Sequence, residues 1–397
     1  MKICILTPRF PFPENGGDVL RINNIARYLK SRGHKLILVS FYEQQPDVTA
    51  ANALYDKVYV IRRNRFWSAI YSLIFMLLRK PIQCGYYFSM AYKRLLKRVV
   101  KEEEPELFIA HLLRMAPYLE SLSLEQQSII EMTDALSKTY TMSSTAKGNF
   151  LKRFIYGIEK PLIERYERAV ISTFPKVVLV SQTDIDYLNK GNVKGHNSLA
   201  LHTNGVECPR LRGVVGVDAN KICFIGNMRT LQNQDAVVHF VNDIFPLIKL
   251  EMPNAEFHIV GAEPSAIVKG LADNKNIFVT GFVDDLPSYV SDCCVAVAPV
   301  QVAAGIQNKV LLSMALKLPV VLSSLISRAI PELEHERNCY ILDKPKDVAE
   351  ACVRLMRDVG LRTMIAENGY EMVCERYSWQ MKLSGYEYVD VGPTSVE

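Results

Sequence analysis

Little in this sequence could cross-link the chain or hold a metal through thiolates: its nine cysteines include no C-x-x-C pair. An odd cysteine count without paired spacing excludes a zinc knuckle and a disulfide framework, and reads as a reduced, cytoplasmic protein. Charge of one sign is also scarce. A net charge of +5 in 397 residues is too small to argue for nucleic acid, though it suits an anionic membrane surface or a phosphorylated ligand. Long apolar runs are absent. The longest, Phe66 to Leu78, would reach only about 20 Å as a helix, against about 30 Å for a hydrocarbon core. Met1 to Thr7 runs straight into Pro8, Pro11 and Pro13, which suits a buried first strand rather than a signal peptide. There is no low-complexity tract and no G-x-G-x-x-G dinucleotide fingerprint.

What is present is an ordinary globular composition, 49% apolar and 22% charged, long enough for two or three domains without disulfides. Short apolar runs alternate with helical stretches. Lys2–Thr7 is expected as a strand, Asp18–Arg32 as a helix ended by Gly33, and Leu36–Ser40 as a second strand. That order implies a parallel pair with a right-handed crossover. Val58–Ile61, Leu107–Ala110, Ile129–Glu131 and Val177–Val180 continue the first lobe. A glycine-rich break from Lys190 to Gly216 reads as a linker. The pattern then restarts, with strands at Lys221–Ile225, Glu256–Val260, Ile277–Thr280, Cys293–Ala298 and Pro319–Ser323. Helices are expected at Asp235–Leu250, at Gly305–Lys317 and beyond Lys346. Two tandem α/β units place their ligand loops at the C-terminal ends of parallel strands.

Four stretches carry candidate chemistry. The loop with Asn15, Gly16 and Gly17 opens a helix and is either an anion-binding turn or a plain βα turn. Gly305, Ile306, Gln307, Asn308 and Lys309 follow a strand and Pro299, and open another helix. Free backbone N–H groups with a lysine one turn in suit a diphosphate. His111 follows the strand Leu107–Ala110, where a cleft residue would stand. The stretches Arg62–Arg79 and Lys93–Lys101 mix basic with apolar residues, and are either a membrane-surface patch or two amphipathic helices with a solvated basic face.

In order along the chain, these pieces resemble the retaining nucleotide-sugar glycosyltransferases of family 4, which share the GT-B fold. The resemblance is carried by Gly16-Gly17 with Arg21, Gly33-His34, Asn204-Gly205-Val206-Glu207, Phe224-Ile225-Gly226-Asn227-Met228, Val260-Gly261 and Gly281-Phe282-Val283. The run Gly305-Ile306-Gln307-Asn308-Lys309-Val310-Leu311 matches a branch reading GIQNKVLEAMA. The sequence departs from the family at its E-x(7)-E pair, where Ala304 and Leu312 stand. A ribose would lack its usual carboxylate there.

The resemblance implies an α/β architecture of two Rossmann-like domains whose parallel sheets face a central cleft. An acceptor-side domain over 1–200 and a nucleotide-sugar-binding domain over 205–375 would be followed by a segment, 376–397, crossing back to the first. It further implies transfer of a hexose-type sugar from a nucleotide-sugar to a glycan or polyprenyl-linked acceptor in surface polysaccharide or lipopolysaccharide biosynthesis. Peripheral contact with the inner membrane is compatible with it. His111 would be catalytic. Gly16, Gly17, Arg229, Gly305, Ile306, Gln307, Asn308 and Lys309 would hold the diphosphate. Gly226, Asn227, Phe282, Val283 and Pro299 would hold base and ribose, and Asn15, Arg21 and Arg114 the acceptor. No D-x-D motif stands at a strand end, so neither a metal nor a cofactor is expected. The missing glutamates leave a second reading, a weakly active scaffold that binds a glycan or a partner enzyme.

Overall fold

A computed structural model describes residues 1–14, 16–145, 150–190, 198–209, 218–301 and 307–389. The chain divides into two compact units, Met1–Asn204 with the segment from Lys382, and Gly205–Met381. In unit one the strands are β1 (Lys2–Thr7), β2 (Lys35–Tyr42), β3 (Lys57–Arg62), β4 (Leu107–His111), β5 (Ser128–Thr133), β6 (Lys176–Leu179) and β7 (Leu199–Leu201). They form one seven-stranded sheet in the order β3-β2-β1-β4-β5-β6-β7, parallel throughout. Ile3, Cys4, Ile5 and Leu6 of β1 are fully buried, as expected where helices cover both faces of a parallel sheet and a strand has no solvent side.

Unit two repeats the plan with β8 (Asp218–Ile225), β9 (Glu256–Val260), β10 (Ile277–Gly281), β11 (Cys293–Ala298), β12 (Val320–Leu322) and β13 (Tyr340–Ile341). Their order is β10-β9-β8-β11-β12-β13, again parallel. Every residue of β11 is buried, and burial pushes the Cys294 thiol up to about 12. In each sheet the strand order reverses once, beside β1 and β4 in unit one and beside β8 and β11 in unit two. Loops leaving the C-terminal ends of those strands diverge, which opens a crevice for ligands.

Three expectations need correction. The glycine-rich break is not all linker: β7 lies inside it and pairs with β6. An edge strand of three residues needs no continuous apolar run, so it gave no signal. The helix expected from Asp235 begins at Leu231, because Asn233 and Gln234 turn their amides onto the preceding loop and need no solvent. Tyr377 and Trp379 belong to unit two, where Val206 N–H donates to the Tyr377 carbonyl at 2.8 Å and bridges Ser378.

The segment from Lys382 is clasped to unit one. Lys176 Nζ donates to the carbonyls of Gly385, Tyr386 and Tyr388 at 3.0, 2.9 and 3.1 Å. Burial lowers that ammonium to about 8. Tyr386 is fully buried, and its hydroxyl donates to Glu131 Oε2 at 2.9 Å.

Candidate functional site

The switch point of unit one is crowded with charge. Gly16 precedes the helix Gly17–Ser31 with φ of 120°, a backbone region that favours glycine. A Cβ on Gly17 would meet nothing within 4 Å, so the helix start is open. Asp18 in the first turn pairs with Arg9 and complements the positive end of the helix. Asn15 lies outside the described residues.

Arg21, expected at the acceptor, is instead held inside the fold. It is 1% exposed, and its Nε and Nη2 donate to the two carboxylate oxygens of Glu131 at 2.9 and 3.1 Å. Nη1 donates to Asn204 Oδ1 at 3.0 Å. With Tyr386 on the same carboxylate, the fork is satisfied and has little left for a ligand. The Arg114 guanidinium stacks on the Tyr87 ring at 4.8 Å, partly buried rather than open.

His111 ends β4 but is not an open cleft residue: it is 2% exposed. The covering structure removes water from the ring, and neither ring nitrogen has a hydrogen-bond partner. Burial lowers its pKa to about 3, with Asp18 opposing and Arg21, Arg114 and Arg9 adding to the fall. The imidazole is therefore neutral at physiological pH. Two unpaired nitrogens in a buried site cost about 1–3 kcal/mol each.

Unit two shows a different arrangement at its switch point. Three consecutive βα loops are stitched together by backbone bonds: Gly226 N–H to Val260 O at 2.9 Å, Met228 N–H to Ala262 O at 2.9 Å, and Gly261 N–H to Gly281 O at 3.1 Å. The packing is close enough that a Cβ on Gly261 would lie 1.8 Å from the Gly226 carbonyl oxygen, so only glycine fits. Asn227 Oδ1 accepts from the Arg229 N–H at 2.9 Å and fixes the turn. The Arg229 side chain itself is 74% exposed and loosely paired with Glu263.

Lys309 stands one residue into the helix Asn308–Ala315. Its ammonium donates to Asn233 Oδ1 and lies over the Phe224 ring at 5.1 Å. No carboxylate pairs with it among the described residues. Burial alone lowers its pKa to about 8, which is what desolvation without a counter-ion does to a cation. Asn233, which stands where many of the family that the sequence resembles have lysine, takes a positioning role that the sequence does not show. Its Nδ2 donates to the Asn227 carbonyl at 2.8 Å, so one amide ties the loop after β8 to the helix after β11.

Gln307 precedes that helix and accepts from Gln232 at 3.3 Å, while Asn308 is exposed. Gly305, Ile306 and Ala304 lie outside the described residues. Phe282 is 72% exposed beyond β10, and Val283 packs partly against the core. Pro299 is buried beneath the turn that Ser323 Oγ closes on Val300 O at 2.7 Å, so it supports the loop rather than lining it. Leu312 is partly buried against the core of unit two. No cluster of three His, Cys, Asp or Glu side chains suited to a metal occurs among the described residues, and none of their helices is long and apolar enough to cross a membrane.

Residues 219–358, most of unit two, match the family model described as "Glycosyl transferases group 1". An uncharacterized 44.6 kDa protein in the cps region of Klebsiella pneumoniae is 18% identical over 95% of this chain and 96% of its own length. Among solved structures, Anabaena Alr3699/HepE in complex with UDP aligns with a TM-score of 0.61 at 14% identity, covering 97% of this chain and 98% of that one. WaaG, a glycosyltransferase involved in lipopolysaccharide biosynthesis, aligns with a TM-score of 0.60 at 12% identity, covering 98% and 100%. The two parallel sheets and these alignments make the fold GT-B, with a group 1 glycosyltransferase match over its second unit.

Proposed function

We propose that this chain is a retaining glycosyltransferase that moves a hexose-type sugar from a nucleotide-sugar to a glycan or lipid-linked acceptor in surface polysaccharide biosynthesis. The observation that carries the proposal is Lys309: a desolvated ammonium with no counter-ion among the described residues, beside a backbone-stitched glycine loop, at the switch point of a group 1 glycosyltransferase match. A diphosphate supplies the missing charge. The same ammonium then stabilises negative charge on the leaving diphosphate, the main electrostatic demand of the transfer. Gly226, Asn227 and Phe282 border the nucleoside side. The nucleotide-sugar is a substrate, and the reaction takes place without a metal or other cofactor.

The location of the Klebsiella relative in a cps region and the lipopolysaccharide role of WaaG favour a cell-surface glycan as product. Peripheral contact with the inner membrane fits the helix Arg65–Leu77, which exposes Phe66 and Trp67 at 69% and 52%. It also fits the helix Met90–Glu103, where Arg94, Lys97, Arg98 and Lys101 share one exposed face. Leu312 keeps the scaffold reading in view, since an apolar side chain there offers a ribose no acceptor.

Incubation with a panel of nucleotide-hexoses and glycan acceptors, read by NMR at the new anomeric proton, tests the proposal. A product of the donor's own anomeric configuration is expected. Inverted product would overturn the retaining assignment, and neither transfer nor donor hydrolysis across the panel would leave the scaffold.

A further inference from the structure

Two of the nine cysteines stand apart. Seven are buried, whereas Cys208 and Cys374 are each partly exposed, and these two meet. Cys208 lies just past Asn204, where the chain leaves unit one, and Cys374 lies shortly before Met381, where it turns back. Both belong to unit two, so their contact is internal to one compact body.

The backbone holds the contact in place. Val206 N–H donates to the Tyr377 carbonyl at 2.8 Å, and Trp379 N–H to the Val206 carbonyl at 3.3 Å. These bonds pin the entering chain to the end of the helix Val359–Tyr377. The approach is close: a Cβ on Gly205 would lie 2.5 Å from the Trp379 nitrogen. The chain then meets the helix face that carries Tyr370 and Cys374, one turn apart. Tyr370 Oη donates to the Pro209 carbonyl at 3.0 Å and touches the Cys374 sulfur. Cys208 packs against the core of unit two, its thiol in hydrogen-bond contact with Cys374. Two sulfurs in contact on segments held this way need only a small side-chain rotation to reach the S–S bond length of about 2.0 Å.

Access separates this pair from the other thiol contact. Cys223 touches Cys293 as well, but these are 0% and 3% exposed, and buried thiols are inert. Burial, together with the Cys374 sulfur, pushes the Cys208 thiol up. Cys208 therefore keeps its proton, and Cys374 is the sulfur that attacks first.

We propose that Cys208 and Cys374 form a reversible disulfide that ties the entering and returning chains of unit two together. The oxidant is a low-molecular-weight disulfide such as oxidised glutathione. Cys374 attacks one of its sulfurs, a bond to Cys374 forms as the original S–S bond breaks, and the departing thiolate takes up the Cys374 proton. Cys208 then attacks the Cys374 sulfur of that mixed disulfide, and its proton leaves with the second thiol. The protein gives up two electrons and two protons, and the small disulfide becomes two thiols. The ring so closed spans most of unit two, and long rings restrain the unfolded chain most. An exposed disulfide is readily reduced again, so the link is a redox switch rather than a permanent staple. It does not depend on the transferase reading.

The full chain is equilibrated with oxidised or with reduced glutathione, and its peptides are mapped unreduced by mass spectrometry. The oxidised protein should yield one cross-linked pair, Cys208 to Cys374, with the seven buried cysteines still free, and reduced glutathione should release it. On oxidation, amide exchange at Val206 and Trp379 should slow about tenfold or more, and the thermal midpoint should rise by several degrees. Cys208→Ser should stop at a mixed disulfide on Cys374. Cys374→Ser should show no cross-link, no slowing and no rise. A wild-type protein that stays reduced, carries only mixed disulfides or cross-links another pair overturns the proposal. So does an equal shift in exchange and midpoint for Cys374→Ser.

Discussion

The two units share a fold and a switch-point topology, yet they treat a cation drawn away from water in opposite ways. In unit one Arg21 reaches into the interior and finds Glu131, Asn204 and, through Glu131, Tyr386. In unit two Lys309 is withdrawn from water toward an amide and an aromatic ring, with no carboxylate in reach among the described residues. A cation satisfied within the fold is structural, however well its position matches a binding motif. One left without its counter-charge among the described residues is what the proposed diphosphate would pair with. The contrast separates two basic residues that look equally promising in the sequence.

The comparison breaks most visibly at Glu131. Glu131→Gln leaves the Arg21 charge buried and unpaired, so stability should fall by about 3–5 kcal/mol, measured by denaturant unfolding, while UDP affinity of the folded protein stays the same. A loss below about 0.5 kcal/mol, the level of an exposed pair, would show that the network is not structural.

His111 sharpens the comparison from the side of pH. Its folded pKa of about 3 lies below the ordinary 6.5, so the unfolded chain binds the extra proton as pH falls through that window. Stability from this group is complete above about 6.5 and is lost toward 3, roughly 2 kcal/mol between pH 7 and pH 5. His111→Gln should flatten that part of the stability–pH curve. A variant with the wild-type slope would mean that His111 already titrates normally.

Leu312→Glu is a smaller perturbation. If ribose faces Leu312, a carboxylate there should tighten UDP binding by up to about 1.5 kcal/mol. Loss of stability with no gain in affinity would place Leu312 in the core alone and favour the scaffold reading.

Much of this was legible in the sequence, because buried parallel strands such as Lys2–Thr7 and Cys293–Ala298 write themselves as unbroken apolar runs. The edge strands Leu199–Leu201 and Tyr340–Ile341 were not, since two or three residues carry no period. Lys309 could be singled out as a candidate from its place at a helix start. The environment of Arg21 could not, because Glu131 lies 110 positions away in sequence and Tyr386 a further 255 beyond that glutamate. The role of Asn233 was hidden for the same reason: its partners Asn227 and Lys309 meet only when two βα loops come together.

The most direct test of the account is calorimetric titration of UDP into the wild type and Lys309→Ala between pH 7 and pH 9.5. An anion at Lys309 raises an ammonium that stands at about 8 in the free protein, so binding takes up a proton above that pH. Wild-type affinity should therefore be full below about pH 8 and fall as pH rises. Lys309→Ala should bind about 1–3 kcal/mol more weakly at pH 7, lose the pH dependence, and stay folded, since the contacts it gives up among the described residues are one amide oxygen and one ring face rather than a carboxylate. Equal UDP affinity in the two proteins, or a wild-type affinity unchanged up to pH 9.5, would contradict the claim that Lys309 awaits a diphosphate.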